Sequence, residues 1–362
     1  MKEKKGTGIV GGLALLVIGV CLLWYNEGRT VKASKGILQA EKEFVEVSST
    51  ETKSENEGKL VATSGNIILP EEELKDPIFN VGAKTAKLVR KVEMYQWQEE
   101  CTTDSKDRET CTYKKDWDDD LIDSSSFKEA GHDNPAEAKY ESNTFTAMPV
   151  KVGGFELNTD QIKKMSAKEK VTNLNSENTE NLTINGNYYT DVVDNTPEVG
   201  NIRVSFYYND YKTISVLAVQ SGNGFSTYVS KTGYKINEVV EGKHNGKEML
   251  QNLADSNKTM KWLLRLGGTL LVIIGLSSLI SPLQTLANYI PIFGTIFGWI
   301  SGIATFLVGI AISLIVIALA WFRYRPVMSI IIIACAVAAY VLSRYLSKSK
   351  NEEPKEKNSN AN

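Results

Sequence analysis

The stretch "GIVGGLALLVIGVCLLWY" at residues 8–25 runs for 18 residues without a charge. A helix needs roughly 20 such residues to cross a hydrocarbon core. No other feature constrains a chain so firmly, because backbone amides in lipid must be satisfied within helices or closed barrels. Lys2, Lys4 and Lys5 precede the run, as they would in a secretory leader. Its exit carries Leu22, Trp24 and Tyr25 where a signal peptidase requires small residues. The run therefore reads as a retained anchor.

Apolar residues concentrate again at the other end of the 362-residue chain, with spans expected at about 262–280, 297–322 and 326–346 before a polar tail at 347–362. Segment 281–295 holds two prolines and no charge, and is expected to lie in the interface or re-enter it. Trp24, Trp262 and Trp321 fall near span ends, where an amphipathic ring sits best. Four spans put both termini on one side. The termini's side carries Lys2, Lys4, Lys5, Arg344, Lys348, Lys350, Lys355 and Lys357. The other side carries Arg29, Lys32, Lys35, Lys247, Lys258, Lys261, Arg323 and Arg325, so the positive-inside rule assigns no orientation.

Between the apolar ends, residues 26–261 carry 30 Lys+Arg against 39 Asp+Glu. Phosphate-backbone binding needs a basic surface, so nucleic acid is not an expected partner. The texture of this segment is β, with alternation and turn residues in "GKLVATSGNIIL", "KTAKLVRKVEMYQWQEEC" and "CTYKKDWDD". The fold class expected is an α+β membrane protein: a mostly β extramembrane domain at 26–261 between one N-terminal and three C-terminal transmembrane helices. Folding the chain about Lys106 sets Cys101 opposite Cys111, Glu99 opposite Tyr113, Trp97 opposite Lys115 and Tyr95 opposite Trp117, all on one face. Tyr95, Trp97 and Trp117 are expected to pack inward. "NIRVSFYYND" and "KTISVLAVQ" read as a second hairpin. Residues 30–55 read as mixed and only partly helical, and 245–260 as a helix leading into the second span.

Cys21 and Cys335 lie in expected spans, which leaves Cys101 and Cys111 as the pair outside the bilayer. They are either a candidate disulfide in an oxidising compartment or two unpaired cytosolic thiols. The quartet "NEGR" at 26–29 follows the first apolar run, and "NEGK" at 56–59 sits in a polar stretch. Both read as turns, the first ending a helix with Arg29 at headgroup depth, the second preceding a strand.

Signs of catalysis are sparse. The chain has two histidines, His132 and His244, and lacks metalloprotease, nucleophile-elbow and phosphate-loop motifs. His132, beside Asp133, reads as a turn histidine. The acidic run of Asp116, Asp118, Asp119, Asp120 and Asp123 lacks the glycine and final glutamate of a calcium loop and reads as a solvated edge. Residues 261–351 contain no Asp, Glu or His, the groups from which proton relays are built. No cofactor, metal site or enzymatic activity is expected. Gly294, Gly298 and Gly302 recur every four residues, as do Gly8 and Gly12 in the first run, a spacing that lets helices approach closely, either among the chain's own spans or between copies.

Taken in order, several motifs resemble the transmembrane protein 43 family, also called LUMA. They are "NEGR" (Asn26, Glu27, Gly28, Arg29), "ENEGKLV" with Glu57 and Gly58, "VEMYQW" with Tyr95 and Trp97, "GHDNP" with His132 and Pro135, "PEVGNIRVSF" with Arg203, "MKWLLR", and "AWFRYRP" with Arg325 and Pro326. The resemblance implies four spans, termini in the cytosol or nucleoplasm, and a domain in the lumen, or outside the cell in a prokaryote. It further implies a non-enzymatic scaffold that self-associates in the lipid bilayer and organises the inner nuclear membrane and ER with lamin- and emerin-type partners in a eukaryote. The alternative is an extracytoplasmic module sensing a ligand or lipid, such as a prokaryotic envelope-stress protein.

Overall fold

The computed structural model describes residues 4–103, 108–176, 179, 181–287, 291–331, 334 and 338; for residues 4–8, 103 and 281–301 only the backbone is described. The chain divides into two compact units: residues 1–39, 230–234 and 251–362 form the first, and 40–229 with 235–250 the second.

The first unit is helical. Helix α1 (Lys4–Glu43) runs for 40 residues, about 60 Å at 1.5 Å per residue, twice the thickness of a hydrocarbon core. It does not stop at Tyr25, which corrects the expectation of a turn at "NEGR" and of irregular structure from residue 30. Leu23, Asn26, Thr30, Ala33, Ile37 and Ala40 are buried, a stripe of helical period that carries the helix through its polar half. No proline interrupts it. Two further long helices follow the domain. Of these, α3 (Gly246–Ala287) starts at a reciprocal cap, in which Asn245 Oδ1 accepts the Glu248 amide and Glu248 Oε2 accepts the Asn245 amide. The last, α4 (Pro291–Tyr324), stops where Pro326 cannot continue it, and residues 326–331 begin another helical stretch.

Among the described residues, three helices are long and apolar enough to cross a membrane: Ile9–Glu43, Gly246–Ile280 and Gly302–Tyr324. The chain is an integral membrane protein. The fourth expected span, 326–346, lies mostly outside the described residues. Segment 281–295 supplies the last turns of α3 and the first of α4, with 288–290 outside the described residues.

The second unit is built on two seven-stranded sheets. In the first sheet, β1 (Leu60–Ile68) pairs antiparallel with β5 (Thr213–Ser221), from Thr213 against Asn66 to Val219 against Leu60. Short strands at Lys151–Val152, Phe155–Glu156 and Gly224–Ser226 join the far sides of β1 and β5, so this part of the sheet closes on itself. Its core is Val61, Val150, Val152, Phe155, Ile162, Ile214 and Val216, under the short helix α2 (Thr159–Lys164). The second sheet centres on the 17-residue strand β2 (Lys87–Thr103), paired with β3 (Glu109–Asp118) on one side and β4 (Ile202–Tyr208) on the other. Phe79, Leu88, Val92, Met94, Tyr189, Val204 and Phe206 fill its buried face.

β4 and β5 were expected to form a hairpin, yet they belong to different sheets. Asn209 turns the corner between them: its Oδ1 accepts the Lys87 amide and the Thr85 hydroxyl, both at 2.7 Å. β4 pairs over its whole length with β2, and β5 pairs from Thr213 to Val219 with β1.

Candidate functional site

In the helical unit the quartet at 26–29 lies in mid-helix, facing α3 and α4. Asn26 and Glu27 are both fully buried. Asn26 Nδ2 donates to the Lys261 carbonyl at 2.9 Å. Glu27 Oε1 accepts from Arg265 Nε at 2.7 Å, and its Oε2 accepts from the Trp321 indole at 2.9 Å. The Arg265 guanidinium lies between two indoles, 5.0 Å from the Trp262 ring and 5.9 Å from that of Trp321. A Cβ on Gly28 would sit 2.7 Å from the Tyr324 ring, so only glycine admits that ring against α1. Arg29 donates to Asn26 Oδ1 at 3.4 Å. One carboxylate thus ties three helices together. A buried charge is costly unless it is paired and hydrogen-bonded, and here both conditions are met.

Arg265, Trp321, Lys261 and Tyr324 were not foreseen as partners of the quartet, although "MKWLLR" and "AWFRYRP" had both been noted. A signal was available. Residues 261–351 hold arginines and no acid, so Arg265 at the start of an apolar run had to take its counter-ion from elsewhere, and Glu27 is the carboxylate at the matching end of the first run.

The other quartet is a turn: Gly58 has φ +74°, its amide donates to Gln220 at 3.0 Å, and Glu57 Oε2 accepts the Gly222 amide at 2.9 Å. Gly302 faces open space, whereas the side-chain surroundings of Gly294 and Gly298 lie outside the described residues. Close helix approach occurs instead at Gly12 and Gly19 of α1 against Gly275 and Gly268 of α3. A Cβ on Gly19 would lie 2.9 Å from the Gly268 carbonyl oxygen, and one on Gly275 2.7 Å from that of Gly12.

In the strand unit, Tyr95, Trp97, His132 and Arg203 meet on one face of the second sheet. The register of β2 and β3 sets Tyr95 against Trp117, Trp97 against Lys115, Glu99 against Tyr113 and Cys101 against Cys111, and the two cysteines are joined. The aromatic face does not enter the core. Alternation sends Leu88, Arg90, Val92, Met94 and Gln96 inward and leaves Tyr95, Trp97 and Trp117 half-buried on the other side.

The loop bearing "GHDNP" covers part of that face. The His132 ring stacks on Tyr113 at 3.8 Å and meets Trp97 edge-on at 4.5 Å. Asn134 imitates a strand, taking the Trp97 amide on Oδ1 at 2.8 Å and donating Nδ2 to the Trp97 carbonyl at 2.9 Å. Pro135 supports the chain beside Gly200, which has φ +97°. Across the sheet, Arg203 grips Glu93 with Nε and a terminal nitrogen at 2.7 and 2.9 Å and lies 4.7 Å over the Trp117 ring. Those hydrogen bonds from Arg203 hold the Glu93 carboxyl below the usual carboxylate range. Glu99 is likewise lowered, first by the Lys128 amide and then by the Tyr113 hydroxyl. Glu99 also lies beside the paired cysteines, but a disulfide offers no thiolate to a metal.

An open cleft of about 450 Å³ lies beside this ladder, lined by Met94, Gln96, Asp118, Asp120, Tyr140 and Glu141 among others. Its buried amide is already committed: Gln96 donates to the Asp120 carbonyl and accepts the Ile122 amide, each at 2.9 Å.

Comparison with known proteins agrees with the motif order. The sequence model of the family described as Transmembrane protein 43 matches residues 94–326. The mouse and human proteins of that name are each 28% identical over 365 residues, covering 95% of this chain and 91% of theirs. A Drosophila melanogaster homologue is 28% identical over 348 residues, covering 91% of this chain and 92% of its own. No solved structure matches.

Proposed function

Because the chain belongs to the transmembrane protein 43 family, we propose that it is a non-enzymatic membrane scaffold that assembles with copies of itself and with other membrane proteins. In a eukaryotic cell it organises nuclear-envelope and ER membranes, where lamin- and emerin-type proteins are its partners. In a prokaryote the same architecture serves the plasma membrane, with the strand unit outside. The observation that carries this reading is the use to which the best-placed carboxylates are put. Glu27 ties α1 to α3 and α4, and Glu93 ties β2 to β4. In each case the charge is spent on holding elements together, which suits a rigid platform. The Cys101–Cys111 disulfide supports an oxidising compartment for the strand unit.

The test is chemical cross-linking in native membranes, followed by mass spectrometry of the full chain extracted into polymer-bounded lipid discs. Cross-links between copies and to other membrane proteins are expected. A strictly monomeric chain without cross-linked neighbours would overturn the reading.

A further inference from the structure

Around the Glu27 tie, the helical unit carries more positive charge than it neutralises. Along α3, about one turn separates Lys258 from Lys261 and Lys261 from Arg265, while Arg325 follows by one turn the Trp321 whose indole meets Glu27 beside Arg265, its amide donating to the Trp321 carbonyl at 2.7 Å. The carboxylate acting on Lys261 is Glu27, which already accepts from Arg265 and Trp321. Among the described residues, the Lys261 ammonium and the Arg325 guanidinium, both half-buried, have no protein acceptor. Lys261 lies 5.4 Å over the Trp262 ring, and that indole is 57% exposed.

The depth of the cluster follows from the apolar runs. The run of α1 ends at Tyr25, that of α4 at Phe322, and that of α3 begins at Trp262. The contacts of Asn26 with Lys261 and of Glu27 with Trp321 bring these three boundaries together. An exposed tryptophan at the same level marks the interface between hydrocarbon and headgroups. Lys261 and Arg325 carry their charge at this depth without a counter-ion among the described residues, and the abundant anion there is the phosphate of lipid headgroups.

We infer that Lys258, Lys261, Arg265 and Arg325 form a binding site for a phosphate group, supplied by the headgroup of an anionic lipid in the leaflet where the apolar run of α1 ends and that of α3 begins. Lys261 and Arg325 supply the free donors, Lys258 adds charge from the exposed side, and Arg265 is held in place by Glu27. The lipid completes the ion pairing that the protein leaves open. This goes beyond the scaffold reading, since the site operates whether or not the chain assembles with partners.

The test uses the full chain in phosphatidylcholine bilayer discs doped with phosphatidylglycerol, with native mass spectrometry counting the lipid retained. Preferential retention of phosphatidylglycerol is expected, weakened about fivefold for each charge removed in Lys261→Gln, Arg325→Gln and Lys258→Gln. Lys261→Arg should keep it. Lys258 is exposed, so its variant tests the site even if the half-buried positions do not tolerate change. Equal retention of the two lipids by the unaltered chain, or no loss in folded variants, would overturn the inference. Inorganic phosphate added to discs without phosphatidylglycerol should not raise the thermal unfolding temperature. A rise that the same variants abolish would assign the site to soluble phosphate and overturn the lipid source.

Discussion

At the scale of single residues, Glu27 matters most. Its carboxylate is fully buried and the Arg265 side chain is 14% exposed, so Glu27→Ala leaves a guanidinium with no anion in a mostly dry place. Breaking such a pair from one side costs about 3–5 kcal/mol, whereas replacing both partners with apolar groups of similar size costs far less. Thermal or denaturant unfolding of the full chain in detergent should therefore show Glu27→Ala strongly destabilised, and Glu27→Leu with Arg265→Leu largely recovered. An additive double variant would show that the two do not act as a pair. Trp97 makes a second test. Inward packing would give Trp97→Ala a cost of about 3–5 kcal/mol. The ring is instead half-buried, with His132 at its edge and Lys115 over its face at 4.6 Å. The loss should fall to about 1–3 kcal/mol, below that of Phe206→Ala, whose ring is fully buried. The sequence could not reveal this ranking. Alternation divides a strand into two faces, but which face meets the core depends on what the rest of the chain lays against each.

At the scale of elements, the strand ladder and the helix crossings give separate predictions. Hydrogen bonds and charge from Arg203 depress the Glu93 carboxyl pKa in the folded chain. A depressed carboxyl adds stability that is present above its unfolded value, near 4.3, and is lost as pH falls through the folded value. The strand unit should therefore lose stability on acidification below about pH 4, and Glu93→Gln should flatten that part of a melting-temperature profile while lowering it at neutral pH. In the helices, Gly19→Leu and Gly275→Leu press a side chain into facing backbone and should cost about 1–3 kcal/mol. Gly302→Leu, facing open space, should be neutral. A drop at Gly302 equal to that at Gly19 would show that α4 packs closely there after all. The hairpin of β2 and β3 was legible residue by residue, because cysteine spacing and alternation both constrain a local pairing. The glycine contacts and the separation of β4 from β5 were not, since each depends on a partner distant in sequence. The same holds for the quartet at 26–29. Polar residues after an apolar run look like the end of a helix until the Lys261 carbonyl, 235 positions away, is seen to accept from Asn26.

At the scale of the whole molecule, the strand unit lies in chain order between the first candidate span and the second, so one measurement of its side of the membrane orients the spans on either side of it. The charge counts at the two sides are equal and cannot supply it. The Cys101–Cys111 pair can, because a disulfide persists where the compartment is oxidising and is reduced in the cytosol. In a chain with Cys21→Ser and Cys335→Ser, these two are the remaining thiol sources. For a plasma-membrane protein, intact cells serve; for an internal envelope, sealed vesicles whose lumen is the original one serve, opened as a second arm. A membrane-impermeant maleimide should label intact cells only after an impermeant reductant, and should label vesicles only after they are opened and reduced. That pattern puts the strand unit in the lumen or outside the cell. It would also put the cation cluster of Lys258, Lys261 and Arg325 in the luminal or outer leaflet, and so decide which leaflet's anionic lipids it meets. Free thiols that react without reductant, and only once the plasma membrane is permeabilised, would place the unit in the cytosol. The scaffold would then face the opposite set of partners, and the cluster would meet the cytosolic leaflet, where anionic lipid is most abundant.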